Sequence, residues 1–157
     1  MNLQCPVLQA GNLIPNRYAF RGVAGAQNLS LPLRWSDAPS GTRSFLLTII
    51  DRHPVANNWL HWCLVNIPAG VDHLTEGISR RGPLPEGSFE LRNSFGEEGY
   101  GGPKPPRGSG PHQYVITLYA LSVDSLPASP KTTHPDLLQM IDAKVLATAS
   151  TVGTFEQ

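Results

Sequence analysis

Two histidines, an aspartate and a tyrosine occupy positions where extended backbone would bring them onto common faces. His112 and Tyr114 are two residues apart, so on a strand they share a face that continues through Ile116 and Leu118. Asp51 ends the alternation of Phe45, Leu47 and Ile49, and regular alternation sets His61 with Cys63, Val65 and Ile67. If those faces point inward, an Asp, two His and a Tyr sit at strand ends over an apolar floor. A few convergent polar groups above an apolar lining is the general form of a ligand pocket. Imidazole N–H and phenol O–H groups can donate to an anionic oxygen. The carboxylate would orient a His tautomer, favour the protonated imidazole, or meet an ammonium group. Taken one at a time, each His is more often a hydrogen-bonded core residue, so the weight rests on their convergence.

The same cluster, Asp51, His53, His61 and His112, has the residue types of a metal or acid–base site. A weak hydrolase or metal-dependent enzyme is therefore the alternative reading. Against it, there is no His-x-x-x-His or Cys-x-x-Cys pair, and Ser94 and Ser109 lack the Gly-x-Ser-x-Gly elbow. No catalytic residue, metal or cofactor is expected.

The elements that position these residues read as strands. Ser44 to Asp51, Leu60 to Ile67 and His112 to Leu121 are rich in β-branched and aromatic residues, apolar on both alternating faces. That pattern predicts central strands covered on both sides. A face carrying Leu46, Thr48 and Ile50 away from the main core needs a second layer, either a helix or a partner chain. Pro32, Leu33 and Trp35, before the Asp37–Gly41 turn, predict a short edge strand. Pro135 and Asp136 suit a helix start, and Leu137, Leu138, Ile141 and Val145 follow at helical spacing. Between the second and third strands, residues 68–111 are dense in Gly and Pro. Structureless connections of that length are usually functional, and the aromatic and Pro punctuation predicts a shaped loop.

Composition bounds the function. The 157 residues, with 40% hydrophobic and 15% charged, fit one globular domain over 1–157. Fifteen Gly and fifteen Pro lean towards β structure and turns. Twelve basic residues balance twelve acidic ones, so no global field favours nucleic acid or an anionic membrane. Any anion must be bound by a local site. No apolar run approaches the ~20 residues of a membrane span. The N-terminal residues lack a signal pattern, and Cys5 and Cys63 do not make a disulfide framework, so a cytoplasmic location is expected.

Three separated stretches resemble, in order and spacing, the signatures of the phosphatidylethanolamine-binding protein family, which includes Raf kinase inhibitor-like proteins. They are Asp51-Arg52-His53-Pro54, Trp59-Leu60-His61-Trp62, and the run from Gly101 through Lys104-Pro105-Pro106 to His112-Gln113-Tyr114. Ile14-Pro15, Asn28-Leu29-Ser30 and Leu33-Arg34-Trp35 resemble weaker elements, and the compactness is similar to the bacterial and archaeal branch. The resemblance implies an antiparallel β-sandwich with a few short helices and a small pocket for phosphate or a phosphorylated head group. Carried across, it implies that Asp51, His61, Pro105, His112 and Tyr114 line that pocket, with Trp59 alongside, Gly102 offering backbone N–H groups, and His53 and Lys104 at its edge. Arg52 and His53 replace a Pro and a second Asp of the family pattern, which makes the entrance less acidic. Lys104 stands where relatives often have Cys and adds a cation. Relatives inhibit kinases or serine proteases and often form homodimers, so the resemblance also implies a protein partner or a homodimer.

Overall fold

The computed structural model describes residues 1–157. In chain order its strands are β1 (Asn2–Gln4), β2 (Leu33–Ser36), β3 (Ser44–Asp51), β4 (Trp59–Pro68), β5 (His73–Leu74), β6 (Phe89–Glu90), β7 (His112–Leu121) and β8 (Val145–Phe155). A distorted turn, α1 (Ile78–Arg81), and one regular helix, α2 (His134–Ile141), complete the long elements. The strands make two antiparallel sheets, ordered β1-β2-β5 and β6-β4-β3-β7-β8.

β3 is buried at every residue because it is the middle strand of the larger sheet. Its Phe45, Leu47 and Ile49 join Ile116 and Leu118 of β7 and meet Leu3, Leu33, Trp35 and Leu74 of the smaller sheet. The opposite face, with Leu46 and Ile50, packs on Leu137 and Ile141 of α2 and on Leu126. A helix therefore supplies the second layer, and each of those buried aliphatic side chains contributes roughly 1.5–3 kcal/mol. Thr133 caps α2 through its side chain, which accepts from the Asp136 amide, and Pro135 fits its first turn.

Three expectations are corrected. β2 is not an edge strand; it lies between β1 and β5, which are too short to leave a sequence pattern. Val145 does not continue the helix, which stops at Ile141. It opens β8, whose Ala-, Thr- and Ser-rich residues pair along the whole of β7. The third correction concerns β4, where alternation is broken twice. Opposite Ile49 and Ile50 the register passes from Trp62 to Leu60 and leaves His61 as an extra residue. Opposite Phe45 and Leu47 it passes from Ile67 to Leu64, with an irregularity at Val65 and Asn66. These bulges place Trp62, Leu64 and Ile67 in the inter-sheet core while Cys63 and Val65 face α2. His61 consequently shares no face with Cys63 and Val65.

Asn66 holds the second bulge in the left-handed region, with φ 59°, and its Oδ1 accepts from the Leu126 amide at 2.9 Å. A β-branched residue there should cost about 2–3 kcal/mol, combining left-handed strain with the lost hydrogen bond. Urea denaturation of Asn66→Val should show that loss, whereas Asn66→Gly should lose only about 1 kcal/mol.

Candidate functional site

The ends of β3 and the starts of β4 and β7 meet at one end of the larger sheet, where Asp51 pairs with Tyr114 on one side and Trp59 on the other. A cavity of about 400 Å³ opens there, lined by Asp51, Trp59, His61, Lys104, Pro105, His112 and Tyr114 among the residues singled out in the sequence. The other two stand behind it. His53 stacks on His112, with ring centroids 3.9 Å apart and an interplanar angle of 16°. Gly102 packs so tightly on the Tyr18 carbonyl that no Cβ would fit.

Asp51 is the most constrained member. Its Oδ1 accepts from the His53 amide at 2.9 Å and its Oδ2 lies 2.6 Å from His112 Nδ1, both carboxylate and ring being buried. The other nitrogen of His112, Nε2, is 2.9 Å from Ser109 Oγ. Asp51, His112 and Ser109 thus form a chain with the order of an acid–base–nucleophile relay. The Ser109 hydroxyl, however, also lies 2.6 Å from the Pro106 carbonyl, to which it donates. The amides of Gly108 and Ser109, which would have to form an oxyanion hole, are spent on Gln157 and Pro106. Ser109 therefore serves to fix the plane of His112.

The glycine-rich loop does not offer its amides to the cavity as expected. Gly101 N–H donates to the His61 carbonyl at 2.8 Å, and Gly102 N–H donates to Asn28 Oδ1 at 2.8 Å. The loop is a packing device that brings the 101–106 segment against the sheet.

His61 is 3% exposed and its Nδ1 donates to the Gly101 carbonyl at 2.6 Å. That bond leaves Nε2 as the acceptor nitrogen of the neutral ring. Burial holds the pKa down at about 4, against the opposing pull of the Gly101 carbonyl and the Asp51 charge. Tyr114 lies edge-on to His61 at 5.0 Å, and its buried hydroxyl makes no hydrogen bond. Burial first, then the neighbouring Asp51 charge and the approach of its hydroxyl to that carboxylate, raise its pKa, so it stays a neutral phenol donor. Lys104 is exposed at the mouth, with Nζ 5.8 Å from the centre of the Phe20 ring.

Sequence reasoning missed Phe95, Val55, Ala56 and Pro106 in the lining. Phe95 forms a wall, edge-on to Trp59 and His61 and stacked on Phe20 at 3.9 Å. Buried Asn93 shapes its loop by accepting from the Phe95 and Glu97 amides and donating to the Gly99 carbonyl. The aromatic and Gly punctuation of Asn93-Ser94-Phe95-Gly96 was the available signal.

The chain is thus a two-sheet antiparallel β-sandwich with a small cavity at the strand ends, where a few polar side chains stand over an apolar lining. The chain matches the phosphatidylethanolamine-binding protein family model over residues 4–156 and belongs to that family. YbcL of Escherichia coli (strain K12) is 35% identical over 153 residues, covering 95% of this chain and 84% of that protein. A Methanothermobacter thermautotrophicus relative is 34% identical over 157 residues, covering 100% and 99%. The crystal structure of YbcL, described as a member of the mammalian PEBP family, superposes with a TM-score of 0.91 at 34% identity, covering 99% and 98% of the two chains. A PEBP homologue from Chlamydia trachomatis gives a TM-score of 0.83 at 30% identity, covering 99% and 97%. No helix is long and apolar enough to cross a membrane.

The burial of His61 has a measurable consequence. The unfolded imidazole takes up a proton below pH ~6.5, whereas the folded one resists until about 4. Stability from this group is complete above pH ~6.5 and is lost as pH falls towards 4, up to about 3 kcal/mol. Urea titrations across that window should show a shallower decline for His61→Gln than for the native chain. Equal slopes would place the proton uptake on other groups.

Proposed function

We propose that the cavity binds phosphate or a phosphorylated head group, the ligand class in the family's name. The observation that carries this reading is the buried hydroxyl of Tyr114, close to the Asp51 carboxylate but without a well-formed hydrogen bond, at a cavity whose mouth holds Lys104. A buried hydroxyl without a partner costs about 1–3 kcal/mol, which a ligand oxygen would recover. Asp51 does not oppose an anion as a free carboxylate would, because both of its oxygens are engaged by His53 and His112. His112 in turn has no free ring nitrogen, so its part is to shape the wall. Recognition then falls to three groups: the Tyr114 O–H as donor, the Lys104 ammonium as counter-charge, and His61 Nε2 as acceptor. An acceptor at that point favours a protonated phosphate oxygen or an ammonium group, or else takes up a proton when a dianion binds. Binding should therefore weaken as pH rises.

Calorimetric titration with inorganic phosphate and with phosphoethanolamine tests the site directly. Tyr114→Phe should weaken binding roughly 5–10-fold, the worth of one hydrogen bond, while leaving the fold intact. The variant should also be as stable as the native chain or more so without ligand, since it removes an orphaned hydroxyl. Affinity unchanged in Tyr114→Phe, or no binding of either ligand by the native chain, would remove the reading.

A further inference from the structure

The connection from β3 to β4, residues 52–58, has two sides. Val55 and Ala56 face the cavity already described, while Arg52, Asn57 and Asn58 face a second and larger one of about 620 Å³. This groove runs between the connection, the Arg92–Ser94 segment and the start of α2. Its wall carries three cations, Arg52, Arg92 and Lys131, and no Asp or Glu. Elsewhere on the molecule Arg17, Arg21, Arg43 and Arg80 each form an ion pair with a carboxylate, while the other Arg and Lys residues stand singly rather than grouped around one concavity. Arg92 and Lys131 form none, and Arg52 is steadied by a neutral group, Asn58 Oδ1 at 2.7 Å. The nearby carboxylate of Asp136 is engaged by the Thr133 hydroxyl at the helix cap, 2.6 Å away.

His134 adds a second, separate observation. The residue lines the groove and its Nε2 is buried without a hydrogen-bond partner, and burial, followed by the charge of Arg52, lowers its pKa. Three cations thus line a concave site beside an unsatisfied imidazole nitrogen, with no carboxylate in the wall itself, Asp136 and Glu98 lying outside it. Guanidinium groups present paired N–H donors that match phosphoryl oxygens, and several cations around one concavity favour a multiply charged anion over a single carboxylate.

We propose that this groove is a second anion site, independent of the Tyr114 cavity, that takes a terminal phosphoryl group as in pyrophosphate or a phosphomonoester. Arg92 and Lys131 supply the charge, Arg52 swings from Asn58 to the ligand, and His134 Nε2–H donates to a phosphoryl oxygen. Its dependence on several exposed cations makes binding strongly salt-sensitive.

An amide NMR titration with pyrophosphate, run on the native chain, on Tyr114→Phe and on the double variant Arg92→Ala with Lys131→Ala, tests the site. Both changes in the double variant are at exposed positions. Amides of Arg52, Asn58, Arg92 and Thr132 should shift and saturate alike in the native chain and in Tyr114→Phe. In the double variant the midpoint should rise at least ~10-fold with an unchanged melting temperature. Shifts confined to the neighbourhood of Tyr114, or a midpoint that the double variant leaves in place, would overturn the second site without touching the first. Failure at Tyr114 with groove shifts intact would do the reverse. Sedimentation with phosphatidylcholine vesicles, with and without phosphatidic acid, distinguishes the source. Pull-down on phosphatidic acid that the double variant loses assigns a lipid phosphomonoester, and pyrophosphate binding without pull-down assigns a soluble one.

Discussion

A carboxylate and an imidazole, 4% and 1% exposed at their side chains and 2.6 Å apart, set the terms for this end of the molecule. Burying the Asp51 charge is tolerable only with a partner on each oxygen, because an ionised group stripped of water costs several kcal/mol even after relaxation. That requirement explains the arrangement around it. His112 supplies one partner, and the ring of His53 packs on that of His112 while its amide supplies the other. Ser109 then closes the remaining ring nitrogen. The pairing of β3 with β7 sets Asp51 opposite Tyr114 and so holds carboxylate and phenol at one sheet edge. The polar groups that remain free for a ligand are the residue of this internal accounting.

How much of this was legible in the sequence follows from which forces leave a local trace. β3 and β7 were readable to the residue from their β-branched and aromatic runs, although of the two only β3 is covered on both faces as expected, the second face of β7 being half-open at Gln113, Val115, Thr117 and Tyr119. β8 was not, since its alternating small and hydroxylated residues have weak preferences and its conformation is imposed by hydrogen bonding to β7. The mainly β sandwich emerged correctly, with help from the resemblance, while the place of β2 within its sheet depended on partners of two and three residues. At the site, Asp51, His112 and Tyr114 followed from simple alternation. His61 reached the cavity by a bulge that no alternation rule anticipates. Asn28 acts through a side-chain hydrogen bond from the distant Gly102 amide, Asn93 through bonds to its own loop backbone and Ser109 through the His112 ring, none of which composition and periodicity record.

Zero net charge conceals a segregation. Glu76, Glu97 and Asp124 are drawn into pairs with Arg17, Arg21, Arg80 and Arg43, and Asp51 into its buried pair with His112. Cations are left over beside both cavities, Lys104 at one and Arg52, Arg92 and Lys131 at the other. Local potential, set by who is paired with whom, governs this surface far more than the overall balance does.

The extra residue at His61 gives β4 a significance that its side chains alone do not convey. Removing Leu60 would restore strict alternation with Trp62 still opposite Ile49, and would set His61 opposite Ile50 on the face that packs on α2, away from Phe95 and Tyr114. Every residue type needed at the cavity would still be present in the chain. For anyone grafting this pocket onto another sheet or comparing distant relatives, the number of residues between Asp51 and Trp62 is therefore as much a part of the site as their identities, and a gap placed one position astray would erase it.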